Sequence, residues 1–161
     1  DVLVHNAASF YATPLWETTV YQRTYLIGTN LKAPFFLAQA AAGALGESQG
    51  CVINLIDIYA ERPLRGHSVY SLAKAGLAAL TRSLAIELGP HVRVNGIAPG
   101  AVLWPESDTN QIAQQRLISN TPLKRVGRPD DISSALLYLV RDAPFVNGQI
   151  LNVDGGRSVT S

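Results

Sequence analysis

The sequence predicts an α/β fold built on a doubly wound parallel sheet, and two observations predict it. Short runs of Val, Ile and Leu recur along the chain, and between them lie longer segments whose apolar residues follow helical spacing. The runs are nearly continuous in apolar character, as strands covered by helices on both faces must be. Alternation of this kind argues a parallel sheet joined by crossover helices.

Each element has its own warrant. Asp1–His5 is a short apolar run ending in HNAAS, a strand entering a turn of small residues. Residues 17–45 read as one long helix, with Val20, Leu26, Ile27, Leu31, Phe35, Leu37 and Ala41 near helical spacing and Pro34 inside it. GCVINLI, at 50–56, is the next strand. Residues 68–88 form a second helix with Val69, Leu72, Ala73, Gly76, Leu77, Leu80 and Leu84 on one side, Ser68 as cap and Gly89-Pro90 as stop. Val92–Ala98 is a strand ended by Pro99-Gly100. Residues 100–128 are polar and irregular, with at most a short helix around 111–119. Arg128-Pro129-Asp130-Asp131 opens a further helix to about Arg141, with Pro and acids at its positive end. GQILNVDGG, at 148–156, is the last strand.

Composition narrows the classes of function. The 161 residues are enough for a single domain with a real core, and 47% are hydrophobic. A net charge of +1 gives no reason to expect nucleic acid or an anionic membrane as partner. Cys51 has no second cysteine to pair with and lies in an apolar run, so it reads as a packed thiol. His5, His67 and His91 lack ligand spacing, so no metal site is expected. No apolar run approaches the ~18 residues of a membrane span and no signal peptide opens the chain, so the expected location is the cytoplasm. The sequence has no methionine and begins within an apparent strand. It is therefore expected to be the C-terminal part of a longer domain, with residues 1–161 lacking the strands before them.

The chemistry concentrates in DIYAERPLRGHSVYSLAK, at 57–74. Tyr70 and Lys74 are four residues apart on the second helix and share a face. An ammonium beside a phenol stabilises phenolate and lowers a pKa otherwise near 10, readying Tyr70 to exchange protons. An amphipathic helix with both residues facing solvent gives the same spacing. Asp57 follows the end of a strand, where ligands gather in doubly wound sheets. It is either a site carboxylate or a loop acid capping a backbone N–H. Asn6 and Pro99-Gly100 end two other strands on the same rim, where small residues let a flat ligand approach or simply make turns. Pro34 has no N–H, so the Asn30 carbonyl loses its helical partner and is free to hold a water, unless something else caps it.

Together these motifs resemble the short-chain dehydrogenase/reductase family, in order and along the whole chain. HNAA at 5–8 matches the family's Asn-Asn-Ala-Gly turn, and TNLKAPF at 29–35 surrounds its helix Asn. YSLAK at 70–74 is its Tyr-x-x-x-Lys, VRVNGIAPG at 92–100 its Asn-x-x-x-Pro-Gly region, and GQILNVDGG its ending. The resemblance implies a Rossmann-like domain. Tyr70 would be the proton donor, and Lys74 would bind the nicotinamide ribose and lower the Tyr70 pKa. Asn30 would hold a relay water, Asn6 and Ala7 would support the cofactor pocket, and Pro99 and Gly100 would border the nicotinamide. His5 and Ala8 depart from the family's Asn and Gly or Ser. The family's glycine-rich phosphate turn has no counterpart in this sequence, so the 161 residues alone are expected to bind cofactor poorly.

One departure is chemical. Most members carry Ser thirteen residues before the Tyr, where this chain has Asp57. With SFYATPL at 9–15, ERPLRG at 61–66 and PGAVLWPE at 99–106, that substitution resembles the pteridine reductase subgroup, which reduces pterin or folate rings with NADPH. Phe10 then matches the aromatic stacked on the pterin, and Trp104 either lines the pocket or packs. A Ser hydroxyl suits a ketone oxygen, whereas a basic ring nitrogen asks for an acid. The expected partners are a pterin or folate substrate and further copies of the chain, a homotetramer pairing the two long helices, with Arg157 approaching a neighbour's site. The rival readings are a reductase of 3-oxoacyl thioesters or small ketones, and a catalytically silent nucleotide-binding paralogue.

Overall fold

Four parallel strands stand side by side in the order of the chain. They are β1 (Val2–His5), β2 (Cys51–Leu55), β3 (Arg93–Pro99) and β4 (Ile150–Val153). The structure, a computed structural model, describes residues 1–103 and 110–160. Trp104 lies outside the described residues. β2 is buried along its whole length, as its unbroken apolar run demands. β1 is an edge among the described residues, with Val2 and Val4 exposed.

The helices are α1 (Val20–Ile27), α2 (Ala33–Glu47), α3 (Ser68–Glu87), α4 (Gln111–Ser119) and α5 (Pro129–Leu137). Alternate strand residues point to opposite faces of the sheet. Val52 and Val94 pack on Ala38 and Leu45 of α2 and Leu84 of α3. Ile53, Leu55 and Ile97 face the other way, onto Ile132 and Leu136 of α5 and onto Leu139. Helices thus cover both faces, and the sheet is doubly wound. Truncating a fully buried side chain such as Leu77 of α3 costs about 2–5 kcal/mol.

Several elements depart from the sequence expectation. The long helix begins three residues later, at Val20, because Thr19 and Gln22 form a capping box. It does not run uninterrupted: a π turn, Gly28–Lys32, joins α1 to α2, and the Ala33 N–H bonds to the Gly28 carbonyl five residues back. Pro34 follows at the start of α2, where a missing N–H is tolerated. Ser68 is not the cap of α3. His67 occupies that position without a side-chain bond, and Ser68 is the first helical residue. α5 ends at Leu137 and passes into a second π turn, Tyr138–Asp142. β4 is shorter than its apolar run, because Asp154, Gly155 and Gly156 leave the ladder to make a turn. No helix among the described residues is long and apolar enough to cross a membrane.

β1 pairs with β2 so that His5 stands opposite Asn54. The Asn54 amide donates to Thr81 Oγ1 of α3 at 2.8 Å, so its oxygen accepts from His5 Nδ1 at 2.7 Å. Burial holds the His5 pKa below its ordinary 6.5, against the Asn54 bond that raises it. The unfolded chain therefore takes up a proton that the folded chain refuses, and the His5 contribution to stability is present above pH ~6.5 and lost on acidification. We expect His5→Asn to flatten the fall in thermal midpoint between about pH 7 and 5. An equally steep fall in the variant would contradict this.

Candidate active site

All strands run one way, so their carboxyl ends share one rim, and Asn6, Asp57 and Pro99-Gly100 lie along it. Asp57 leaves β2 and caps a single turn, Ile58–Ala60, by accepting the Tyr59 N–H at 2.8 Å through Oδ1. Its other oxygen, Oδ2, accepts the Tyr70 hydroxyl at 2.8 Å. Tyr70 lies in the first turn of α3 and Lys74 in the next, and both are buried, at 5% and 3% exposure. The Lys74 ammonium donates to the Leu55 carbonyl at 2.8 Å and stands 5.7 Å from the centre of the Tyr70 ring. The structure thus brings Asp57, Tyr70 and Lys74 into one cluster. The solvent-facing alternative for the Tyr–Lys pair is excluded. Asp57 caps its loop and also faces the cluster.

The electrostatics correct one expectation. The Tyr70 pKa is expected to fall beside Lys74, and it rises instead. Burial, and then the Asp57 carboxylate, push Tyr70 far above its ordinary value, and the hydroxyl keeps its proton as a donor to Asp57. Burial likewise raises Asp57, against the opposing effects of the Tyr59 and Tyr70 bonds and the Lys74 charge. Burial lowers Lys74 to about 8, with Asp57 acting to raise it. The sequence correctly placed an ammonium near a phenol. It did not reveal that the carboxylate contacts the phenol directly and at shorter range.

Asn30 sits in the π turn and is 1% exposed. Its amide donates to Leu26 O and Ser9 O, each at 3.0 Å. Its side-chain Oδ1 is buried without a partner, a different oxygen from the backbone carbonyl singled out through Pro34. The Ser9 bond anchors the segment bearing Phe10. The other end of that segment is tied at Thr13, whose N–H bonds to Gly66 O beside a bridge to His67. Phe10 stacks on His67, with centroids 4.7 Å apart and planes 11° apart, and meets Tyr70 edge-on at 4.8 Å. His67 was missed as a site residue, because only the fold brings it under Phe10.

Two clefts meet at Asp57 and Tyr70. The larger, about 650 Å³, is lined by Asn6, Ala8, Lys74, Pro99 and Gly100, with apolar walls from Leu55 and Ile132. Ala7 is exposed on the adjoining turn. This donor set fits a nicotinamide nucleotide: Lys74 spends one N–H on Leu55 and has two more for ribose hydroxyls, beside apolar walls suited to a flat ring. The smaller, about 290 Å³, is lined by Phe10, Tyr59 and Val102, and by Arg157 of the same chain. Arg157, expected from the resemblance to approach a neighbour's site, lines this cleft of its own chain.

The family model described as Enoyl-(Acyl carrier protein) reductase matches residues 1–158. Pteridine reductase 1 of Leishmania tarentolae is 34% identical over 99% of this chain and 63% of its own length. The (2S)-[(R)-hydroxy(phenyl)methyl]succinyl-CoA dehydrogenase subunit BbsD of Thauera aromatica is 40% identical over 99% of this chain and 65% of its own. The solved structure of an apo SCOR enzyme from Clostridium thermocellum superposes with a TM-score of 0.89 at 34% identity, covering 100% of this chain and 63% of that one. The chain thus spans just under two thirds of the length of the curated relatives compared here.

Because the Asp57 charge raises Tyr70, Asp57→Asn should let the Tyr70 phenol ionise at lower pH, read by NMR of isotope-labelled tyrosine with Tyr70→Phe as the assignment control. Ionisation at an unchanged pH in Asp57→Asn would contradict the electrostatics.

Proposed function

The chain belongs to the short-chain dehydrogenase/reductase family, and on that premise we propose that the protein reduces a pterin or dihydropteridine ring, dihydrofolate included, with NADPH. The observation that carries this reading is the Asp57 carboxyl bonded to the Tyr70 hydroxyl at 2.8 Å where two clefts meet. Reduction of a ketone ends on an alkoxide, which a hydroxyl donor protonates. Reduction of a ring C=N bond ends on a nitrogen, which a carboxyl serves by giving a proton and by holding the protonated heterocycle as its counter-ion.

When bound, NADPH supplies the hydride that adds to the carbon of that bond. The adjacent nitrogen takes the bond's electron pair, and Asp57 and Tyr70 deliver the proton that completes the N–H. Burial raises the pKa of both Asp57 and Tyr70, so each holds a proton more readily than it would in water. Lys74 holds the ribose, while Asn6, Ala7, Pro99 and Gly100 border the cofactor. Asn30 holds a water at its unpartnered Oδ1, and that water resupplies the proton from solvent. Phe10, propped by His67, stacks on the substrate ring. The working form is a homotetramer joined through the long helices, a reading supported by the exposed Phe35, Phe36, Leu72 and Ile86 on α2 and α3.

A second reading is reduction of a 3-oxoacyl thioester or small ketone, which the 40% identity to the (2S)-[(R)-hydroxy(phenyl)methyl]succinyl-CoA dehydrogenase subunit favours. Cofactor oxidation with dihydrobiopterin, dihydrofolate and an acetoacetyl thioester in parallel separates the two. Turnover of a pteridine is the expected result. Turnover of the thioester alone would replace the first reading with the second, and turnover of none would favour a silent nucleotide-binding protein.

Tyr70→Phe should lower kcat by about 100-fold or more while cofactor affinity changes little. Equal loss of both would assign Tyr70 a structural role. Lys74 loses its charge as pH rises through about 8, so kcat/KM should fall on the alkaline side near that value. A flat profile across it would contradict the role given to Lys74.

A further inference from the structure

The smaller cleft is lined by two formally charged side chains, Asp57 and Arg157. The roles of Asp57 are given above; Arg157 has none. Its Nη1 donates to Thr160 Oγ1 at 3.1 Å, and neither ion pair among the described residues includes it. Arg157 is half-buried, so its charge is only partly hydrated, and a guanidinium presents a fork of donors matched to a carboxylate.

The side chain is also held in place. Arg62, in the loop that follows Asp57, donates through Nη1 to the Arg157 carbonyl at 3.1 Å and the Ser158 carbonyl at 3.0 Å, and to Thr160 O. Asp154 fixes the other side of the same turn by accepting the Ser158 N–H at 2.6 Å and the Gly156 N–H at 2.8 Å. A cation is thus fastened by its backbone to the loop that carries the carboxyl. Tyr59, which lines the same cleft, feels both charges: burial raises its pKa, Asp57 adds to the rise and Arg157 opposes it.

We infer that Arg157 binds a carboxylate carried on the substrate's side chain, remote from the ring that Asp57 serves, and that Arg62 is the residue that positions it. The inference rests on the pteridine reading and narrows it to folate-type pteridines, with an acidic tail, over pterins with neutral tails. The cleft then reads its substrate at two points of opposite chemistry: an acid for the ring nitrogen and a cation for the tail.

The test is calorimetric binding of folate and of neutral 6-hydroxymethylpterin to the intact protein saturated with oxidised cofactor. Folate should bind about tenfold or more tightly than the neutral pterin. Arg157→Gln should erase that preference, Arg157→Lys should restore part of it, and rising salt should shrink it. Arg62→Ala should lower the same ratio by freeing residues 157–160. A Gln variant that keeps the full preference, or a wild type that binds both ligands equally, overturns the inference while leaving the pteridine reading intact. Binding of neither ligand overturns both.

Discussion

A lysine 3% exposed is held in a protein interior only if its ammonium is hydrogen-bonded and a counter-charge lies near, because an isolated buried ion costs several kcal/mol. Here the Leu55 carbonyl supplies the bond and Asp57 the charge. Asp57 is itself drawn out of water and depends on the Tyr59 N–H and the Tyr70 hydroxyl for its acceptor sites. The cluster therefore fixes the end of β2, the turn after it and the first two turns of α3 against one another. Removing any member leaves another buried polar group unsatisfied, so the group acts as a unit.

That unit is reached only because the surrounding elements approach closely. Gly76 of α3 faces the π turn, where a Cβ would come within 2.7 Å of Leu31 Cδ2. The turn offers Asn30 to the loop bearing Phe10, and the same loop is stitched to Gly66 ahead of α3. The Phe10 ring, the half-buried Asp57 carboxyl and the buried Lys74 ammonium are thus set by packing before any ligand arrives, which lowers the ordering cost of binding.

Much of this was legible in the chain. Apolar runs and helical spacing located the four strands, α3 and the stretch that holds α1 and α2, read as one helix, because burial leaves a periodic trace. The i, i+4 spacing of Tyr70 and Lys74 and the position of Asp57 past a strand located the site. The π turns were not legible, since one inserted residue barely alters a 3.6-residue period. Ser68 was misread as a cap because cap propensity says nothing about where the chain turns. His67 and Arg157 meet the site through contacts far apart in sequence, and the sign of the Tyr70 shift is set first by its burial and then by the Asp57 carboxylate against it. Only coordinates supply such distances.

The central claim is that the carboxyl at position 57 suits the site to a ring nitrogen rather than a ketone oxygen. The direct measurement is kcat/KM of Asp57→Ser with dihydropteridine and with acetoacetyl thioester, set against the parent protein. The account predicts that pteridine turnover falls by about 100-fold or more while the ratio of thioester to pteridine turnover rises. Undiminished pteridine reduction by the serine variant would contradict it.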